Sequence, residues 1–193
     1  MSWKPIQLKF RGCRPLLMHN GRLSDPLDEF TKAMQKVSQK RHKTDADHEQ
    51  MAKIEFLGSL WLAGTPLQPV LPDEVIHACL IEGAKKTKNG PAAKAGLLCE
   101  HHAVLMYEGP TDAHELWEHG AFRLRARVKI KQNRVVRTRP VFRHWQALVS
   151  LEYEDSLLDA EQVVGFATRA GFEVGMGDWR PRYGRFHVER EGH

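Results

Sequence analysis

From Phe122 to Lys131 the chain reads FRLRARVKIK, and apolar and cationic side chains alternate without a break. Phe122, Leu124, Ala126, Val128 and Ile130 fall on one side of an extended chain. Arg123, Arg125, Arg127, Lys129 and Lys131 fall on the other. No helix has a period of two, so the segment is a half-buried strand. A strand rise of about 3.3 Å per residue sets its cations about 7 Å apart, near the phosphate spacing of an extended single strand. Between Glu118 and Glu152 there is no acidic residue, and Arg134, Arg137, Arg139 and Arg143 extend the row. The whole chain holds 29 basic and 24 acidic residues, a net charge of +5, so the rest of the molecule is mildly acidic. A charge concentrated in one segment points to a polyanionic partner. The bland alternative is a solvated strand face, but such faces usually mix glutamate with lysine, and this one does not.

Other segments carry clear periods. Residues 6–12 (IQLKFRG) place Ile6, Leu8 and Phe10 on one face and Gln7, Lys9 and Arg11 on the other. Trp145, Ala147, Val149, Leu151 and Tyr153 alternate again, and Phe186 and Val188 mark a last strand over 185–190. Helical spacing predicts a helix over 73–86, capped by Asp73, and another over 159–170, stopped by Gly171. Asp25-Pro26 is read as the start of a helix carrying Leu27, Phe30, Met34 and Val37. A second helix is expected over 46–55, then a short strand over 56–62, and a further strand over 97–107. The polar stretch 24–60 is read as a helical insertion within a single domain of residues 1–193.

Without the insertion the order is strand 6–12, helix 73–86, strands 122–131 and 145–153, helix 159–170 and strand 185–190. That is the βαββαβ plan of a ferredoxin-like α+β fold. Gln132-Asn133 turns the chain, and 134–143 forms an arginine-rich protruding hairpin. Both helices would cover one sheet face. The open face would then present Lys9, Arg11, Arg123, Arg125, Arg127, Lys129, Arg185 and His187 as a cationic platform.

The segment Gly175 to Phe186, GMGDWRPRYGRF, is the second concentration of chemistry. Glycines permit tight turns and close approach of a ligand. Arg180, Arg182 and Arg185 can grip phosphates, and Trp179 and Tyr183 can stack on unpaired bases. The competing reading is a loop packed by its own aromatics, with Asp178 pairing an arginine. The segment is neither a dinucleotide fingerprint nor a P-loop.

Four stretches together resemble the RAMP superfamily: the first strand with Gly12-Cys13-Arg14-Pro15-Leu16-Leu17-Met18, the Pro69–Pro72 lead into a helix, the Arg137–Trp145 arm (RTRPVFRHW) and the closing GMGDWRPRYGRF. More narrowly, they are similar to CRISPR-backbone-like proteins of phage type. The likeness runs over roughly 5–20, 65–95 and 120–190, and leaves 25–60 outside. It implies an RRM-like core, a glycine-rich loop before the last strand, single-stranded RNA or DNA as ligand, and self-association into a filament along the strand. The RRM aromatic signature is missing, since the outward positions of 145–153 are Gln146, Leu148, Ser150 and Glu152. Phosphate contacts are therefore expected in place of base stacking on the sheet.

Other classes are disfavoured. Cys13, Cys79 and Cys99 form no C-x-x-C pair, which argues against a disulfide framework or structural zinc and fits a reducing, cytoplasmic compartment. In Cys99-Glu100-His101-His102, adjacent histidines on a strand point to opposite faces, so no metal or other cofactor is expected. No stretch approaches the roughly 20 apolar residues of a membrane span, and the first residues do not form a signal core. The leading expectation is a non-enzymatic, sequence-independent binder of single-stranded nucleic acid. Its contacts would be Lys9, Arg11, the cations from Arg123 to Arg143, and Trp179, Arg180, Arg182, Tyr183 and Arg185. Two alternatives stand beside it. One is a metal-independent endoribonuclease using His19 or His144, as in some RAMP relatives. The other is an interaction module docking on an acidic protein.

Overall fold

A computed structural model describes residues 2–130 and 133–191. Its elements are β1 (Trp3–Gly12), β2 (Leu16–Leu17), α1 (Glu29–Ser38), α2 (Asp45–Ser59), β3 (Leu62–Ala63) and β4 (Gln68–Leu71). There follow α3 (Asp73–Lys85), α4 (Gly90–Gly96), β5 (Leu97–Leu98), β6 (Ala103–Met106), α5 (Ala113–Glu118) and β7 (Arg123–Ile130). The chain closes with β8 (Asn133–Phe142), β9 (Gln146–Glu154), α6 (Ala160–Arg169) and β10 (Phe186–Arg190). It divides into two compact units, one of residues 1–17, 63–108 and 142–193, the other of 18–62 and 109–141. Among the described residues no helix is long and apolar enough to cross a membrane.

The first unit is built on a sheet in the order β10-β1-β9-β6-β4. Each neighbouring pair is antiparallel. With α3 between β1 and β6, and α6 between β9 and β10, this is the ferredoxin-like α+β arrangement that the sequence predicts. The alternation explains it. Ile6, Leu8 and Phe10 of β1 and Ala147, Val149 and Leu151 of β9 are buried, as are Ile76, Cys79 and Leu80 of α3 and Val163, Phe166 and Ala167 of α6. Phe10 stacks on Phe186 of β10 with ring centroids 4.4 Å apart.

One strand is reassigned. The second-strand place is taken by β6, a four-residue segment, and not by 122–131. The longer alternation of β7 finds its partner in β8, from Arg123 opposite Pro140 to Ile130 opposite Asn133. The expected cationic platform is therefore not assembled. The uncovered sheet face carries Lys9 and Arg11, but also exposed Val104, Met106 and Leu148, and Arg11 faces Glu189 at 3.5 Å.

The second unit joins the helical insertion to the β7–β8 hairpin, two segments far apart in sequence. Val37, Ala52, Phe56, Leu60, Leu116 and Trp117 are buried in it, and Phe56 meets Trp117 edge-on at 5.4 Å. Four local expectations are corrected. Helix α1 starts at Glu29 with Asp28 as N-cap, its carboxylate accepting from the Phe30 amide, while Asp25 closes an earlier turn on the Leu27 amide. The segment 56–62 is not a strand, because α2 runs on to Ser59. It is started by a capping box in which Thr44 and Asp47 satisfy each other's amides. A short apolar run reads alike as strand or buried helix, and here both of its sides are covered. In the first unit α6 does not end at Gly171, since one π-helical turn carries the chain on to Val174. Pro72 takes the cap position of α3, and Asp73 is its first residue.

Candidate functional site

The glycine-rich loop is held by backbone pairing before any ligand is considered. The Met176 amide donates to Gly184 O at 2.9 Å, and the Gly184 amide to Pro15 O at 2.8 Å. The Asp178 amide donates to Leu17 O at 2.9 Å, and Cys13 and Arg14 both donate to Arg185 O. The loop is thus laid against the 13–17 segment. Two glycines are required for this. A side chain on Gly177 would begin 2.2 Å from Leu17 O, and one on Gly184 1.7 Å from Met176 O, and both residues have φ above +70°. The close approach that these glycines permit is of chain to chain.

Fixed in this way, the loop and the 14–15 segment enclose a cleft of about 640 Å³ lined by Arg14, Pro15, Pro181, Arg182, Tyr183 and Arg185. Three arginines converge on it. Among the described residues none of the three has a carboxylate within 4.0 Å. Arg185 Nε donates to Pro181 O at 2.9 Å, which orients the guanidinium and leaves its other N–H groups for a ligand. Trp145 Nε1 donates to Arg14 O at 3.0 Å, fixing the backbone that carries Arg14. Trp179 and Tyr183, the expected stacking residues, meet edge-on at 6.0 Å, so each buttresses the other. Arg180 points elsewhere and lines a separate cleft against α3 and α4.

The arginine ribbon is different. Glu49 of α2 lies 3.5 Å from Arg123 and 2.6 Å from Arg125. Glu55, itself buried, accepts from Arg137 at 3.1 Å, from Arg139 at 2.8 Å and from the Thr138 amide at 2.8 Å. Arg123 also lies 4.6 Å over the Trp117 ring. The expectation of an open row of cations is corrected here: the missing counter-charges come from the helical insertion. Arg139 is buried and has a structural role, tying β8 to α2. Arg127 is exposed, with no carboxylate within 4.0 Å among the described residues. The side chains of Lys129 and Arg134, and the whole of Lys131 and Gln132, lie outside the described residues. Arg143 and His144 are exposed in the β8–β9 connection.

Sequence reasoning missed Arg14 and Phe172 as parts of the site. Arg14 is brought to the cleft by Gly12-Cys13, and only the pairing of 13–14 with Arg185 O reveals it. Phe172 is 67% exposed on the π-helical turn, and the Arg185 guanidinium sits 5.9 Å over its ring. An apolar ring left in water beside a cationic cleft is a surface on which a planar group can stack. Cys79 lies beneath the loop, donating to Gly175 O at 3.3 Å. Burial pushes its thiol up to about 12, so it is chemically inert. Among the described residues no group of three or more histidine, cysteine or acidic side chains is placed to hold a metal ion.

No protein-family model matches the chain, and no curated protein does. Among solved structures it is similar to the crystal structure of Cmr6 from Pyrococcus furiosus, with a TM-score of 0.45 and 11% identity, over 98% of this chain and 100% of that one. A likeness this distant carries no argument about the site.

Proposed function

We propose that the protein binds single-stranded nucleic acid, RNA or DNA, through the phosphate backbone and without sequence preference. The observation that supports this most is the loop cleft. Arg14, Arg182 and Arg185 converge there without carboxylate partners among the described residues, beside the exposed ring of Phe172. Guanidinium groups held apart from carboxylates are poised for phosphates, and an aromatic face accepts any base. Arg127 and Arg143 offer further exposed cations. The proposal extends to RAMP-type binding with several copies side by side on one strand, which would register as cooperative binding to long oligonucleotides.

Binding without strand scission belongs to the same reading. General acid–base work needs a base or an orienting group within hydrogen-bond reach, and His144 is exposed with no side-chain hydrogen bond among the described residues. The test is fluorescence anisotropy with labelled oligonucleotides in metal-free buffer. Affinity should fall steeply between about 50 and 200 mM salt, with the label remaining on full-length strand. Absence of binding, or affinity indifferent to salt, would overturn the proposal. Cleavage lost in His19→Ala or His144→Ala would turn it into a ribonuclease.

A further inference from the structure

A second cleft, of about 750 Å³, lies in the same unit between the outer side of α3 and the turn into α4. Its wall is completed by Arg180 of the glycine-rich loop. Arg180 and Pro181 are consecutive, yet Arg180 lines this cleft and Pro181 lines the loop cleft. The Arg180–Pro181 step of the loop therefore borders both hollows and forms the ridge of chain they share. Consecutive Cα atoms are at most about 3.8 Å apart, shorter than one nucleotide step of an extended strand.

The charge of the second cleft matches that of the first. Glu82 is the single carboxylate among its lining residues, and Lys85 takes it in an ion pair. The Lys85 hydrogen bond, with Arg180 and Lys86 adding their fields, holds the Glu82 carboxyl below its ordinary value against the opposing effect of burial. Lys88, Lys94 and Arg180 remain, and among the described residues none of them has a carboxylate within 4.0 Å. Ile81 and Pro91 add apolar lining for sugar and base faces.

We infer that this helix-side cleft is a second phosphate-binding site, and that a strand seated in the loop cleft crosses the Arg180–Pro181 ridge and continues into it. The inference rests on the proposed nucleic-acid binding and adds its path. Lys88 and Lys94 take phosphates beyond those held by Arg14, Arg182 and Arg185, and Arg180 marks the crossing. A short oligonucleotide fills the first cleft alone, whereas a longer one occupies both.

The test uses the full chain, Lys88→Gln/Lys94→Gln, and fluorescein-labelled oligouridylates of about 4 and about 12 nucleotides. Both lysines are exposed, so the variant should keep the wild-type unfolding transition. On the long probe the slope of log affinity against log salt should flatten by about 1.4, which is two contacts at about 0.7 each. On the short probe it should stay at the wild-type value. An unchanged slope on the long probe overturns the inference while leaving the binding function standing. So does an equal change on both probes, which would mean diffuse attraction without a path. Failure of the wild-type protein to bind either probe overturns the binding function itself, and this path with it.

Discussion

At the scale of single residues, the proposed binding depends on side chains whose surroundings leave them available. Phe172 is exposed, with the Arg185 guanidinium over its ring. Phe172→Ala should leave thermal unfolding unchanged and weaken oligonucleotide binding about tenfold, within the range of one base–aromatic stack. Binding of an abasic strand should not change, and equal losses on the two strands would remove Phe172 from the site. The cysteines give an independent check on the fold around the loop. Cys13 is exposed, whereas burial pushes Cys79 up to about 12 and Cys99 up to about 11. A thiol reagent at about pH 8 should label Cys13 fastest in the native protein and the half-buried Cys99 more slowly, and reach Cys79 only after unfolding. Rapid labelling of Cys79 would contradict the packing beneath the glycine-rich loop. The loop's arginines were legible in the sequence because cations, glycines and aromatics stood together there. Arg14 and Phe172 were not, because their place in the cleft is made by tertiary hydrogen bonds and by a π-turn that no local pattern announces.

At the scale of elements, α2 decides what the arginine hairpin can do. Glu55 accepts from two guanidinium groups and one backbone amide. Its removal takes that shared acceptor from the buried Thr138 amide and from both guanidinium groups, so Glu55→Ala should destabilise the second unit by about 1–3 kcal/mol, read as a lower urea midpoint. Glu55→Gln keeps an acceptor for the Thr138 amide and should lose less. A change under about 0.5 kcal/mol for Glu55→Ala would show the ion pairs to be ornamental. Asp47, in the capping box of α2, is held down to about 2 by the Lys40 ammonium first and the Thr44 amide next. Its folded value lies below the ordinary one, so its stabilisation is complete above about pH 4. It is lost as pH falls through about 2. Asp47→Asn should be less stable than wild type at neutral pH, with the difference closing in acid. A difference that persists undiminished at low pH would contradict this cap. The alternation of 122–131 correctly announced a strand, but a period of two does not name the partner strand. Nor could it show that Glu49 and Glu55, more than sixty residues upstream by the numbering, would meet its cations.

At the scale of the whole molecule, the ferredoxin-like unit was readable in outline because β1, β9, β10, α3 and α6 each carry their own period, whereas its second strand was misplaced because the four-residue β6 is too short to show one and 122–131 stood in for it. The second unit was not readable, since 18–62 and 109–141 are recognisable as one body only when both are folded. The cation-rich stretch that dominates the sequence lies largely in that second unit, where four of its arginines are paired to α2. The three arginines of the loop cleft, with no carboxylate within 4.0 Å among the described residues, lie in the first. The loop, more than the ribbon, is therefore the part proposed to hold the phosphates. This is tested most directly by the salt dependence of oligonucleotide affinity in Arg14→Gln/Arg182→Gln/Arg185→Gln, beside wild type and beside Arg127→Gln. The slope should flatten by about 2 in the triple variant and by no more than about 0.7 in Arg127→Gln. A triple variant that keeps the wild-type slope, while Arg127→Gln loses binding, would contradict it.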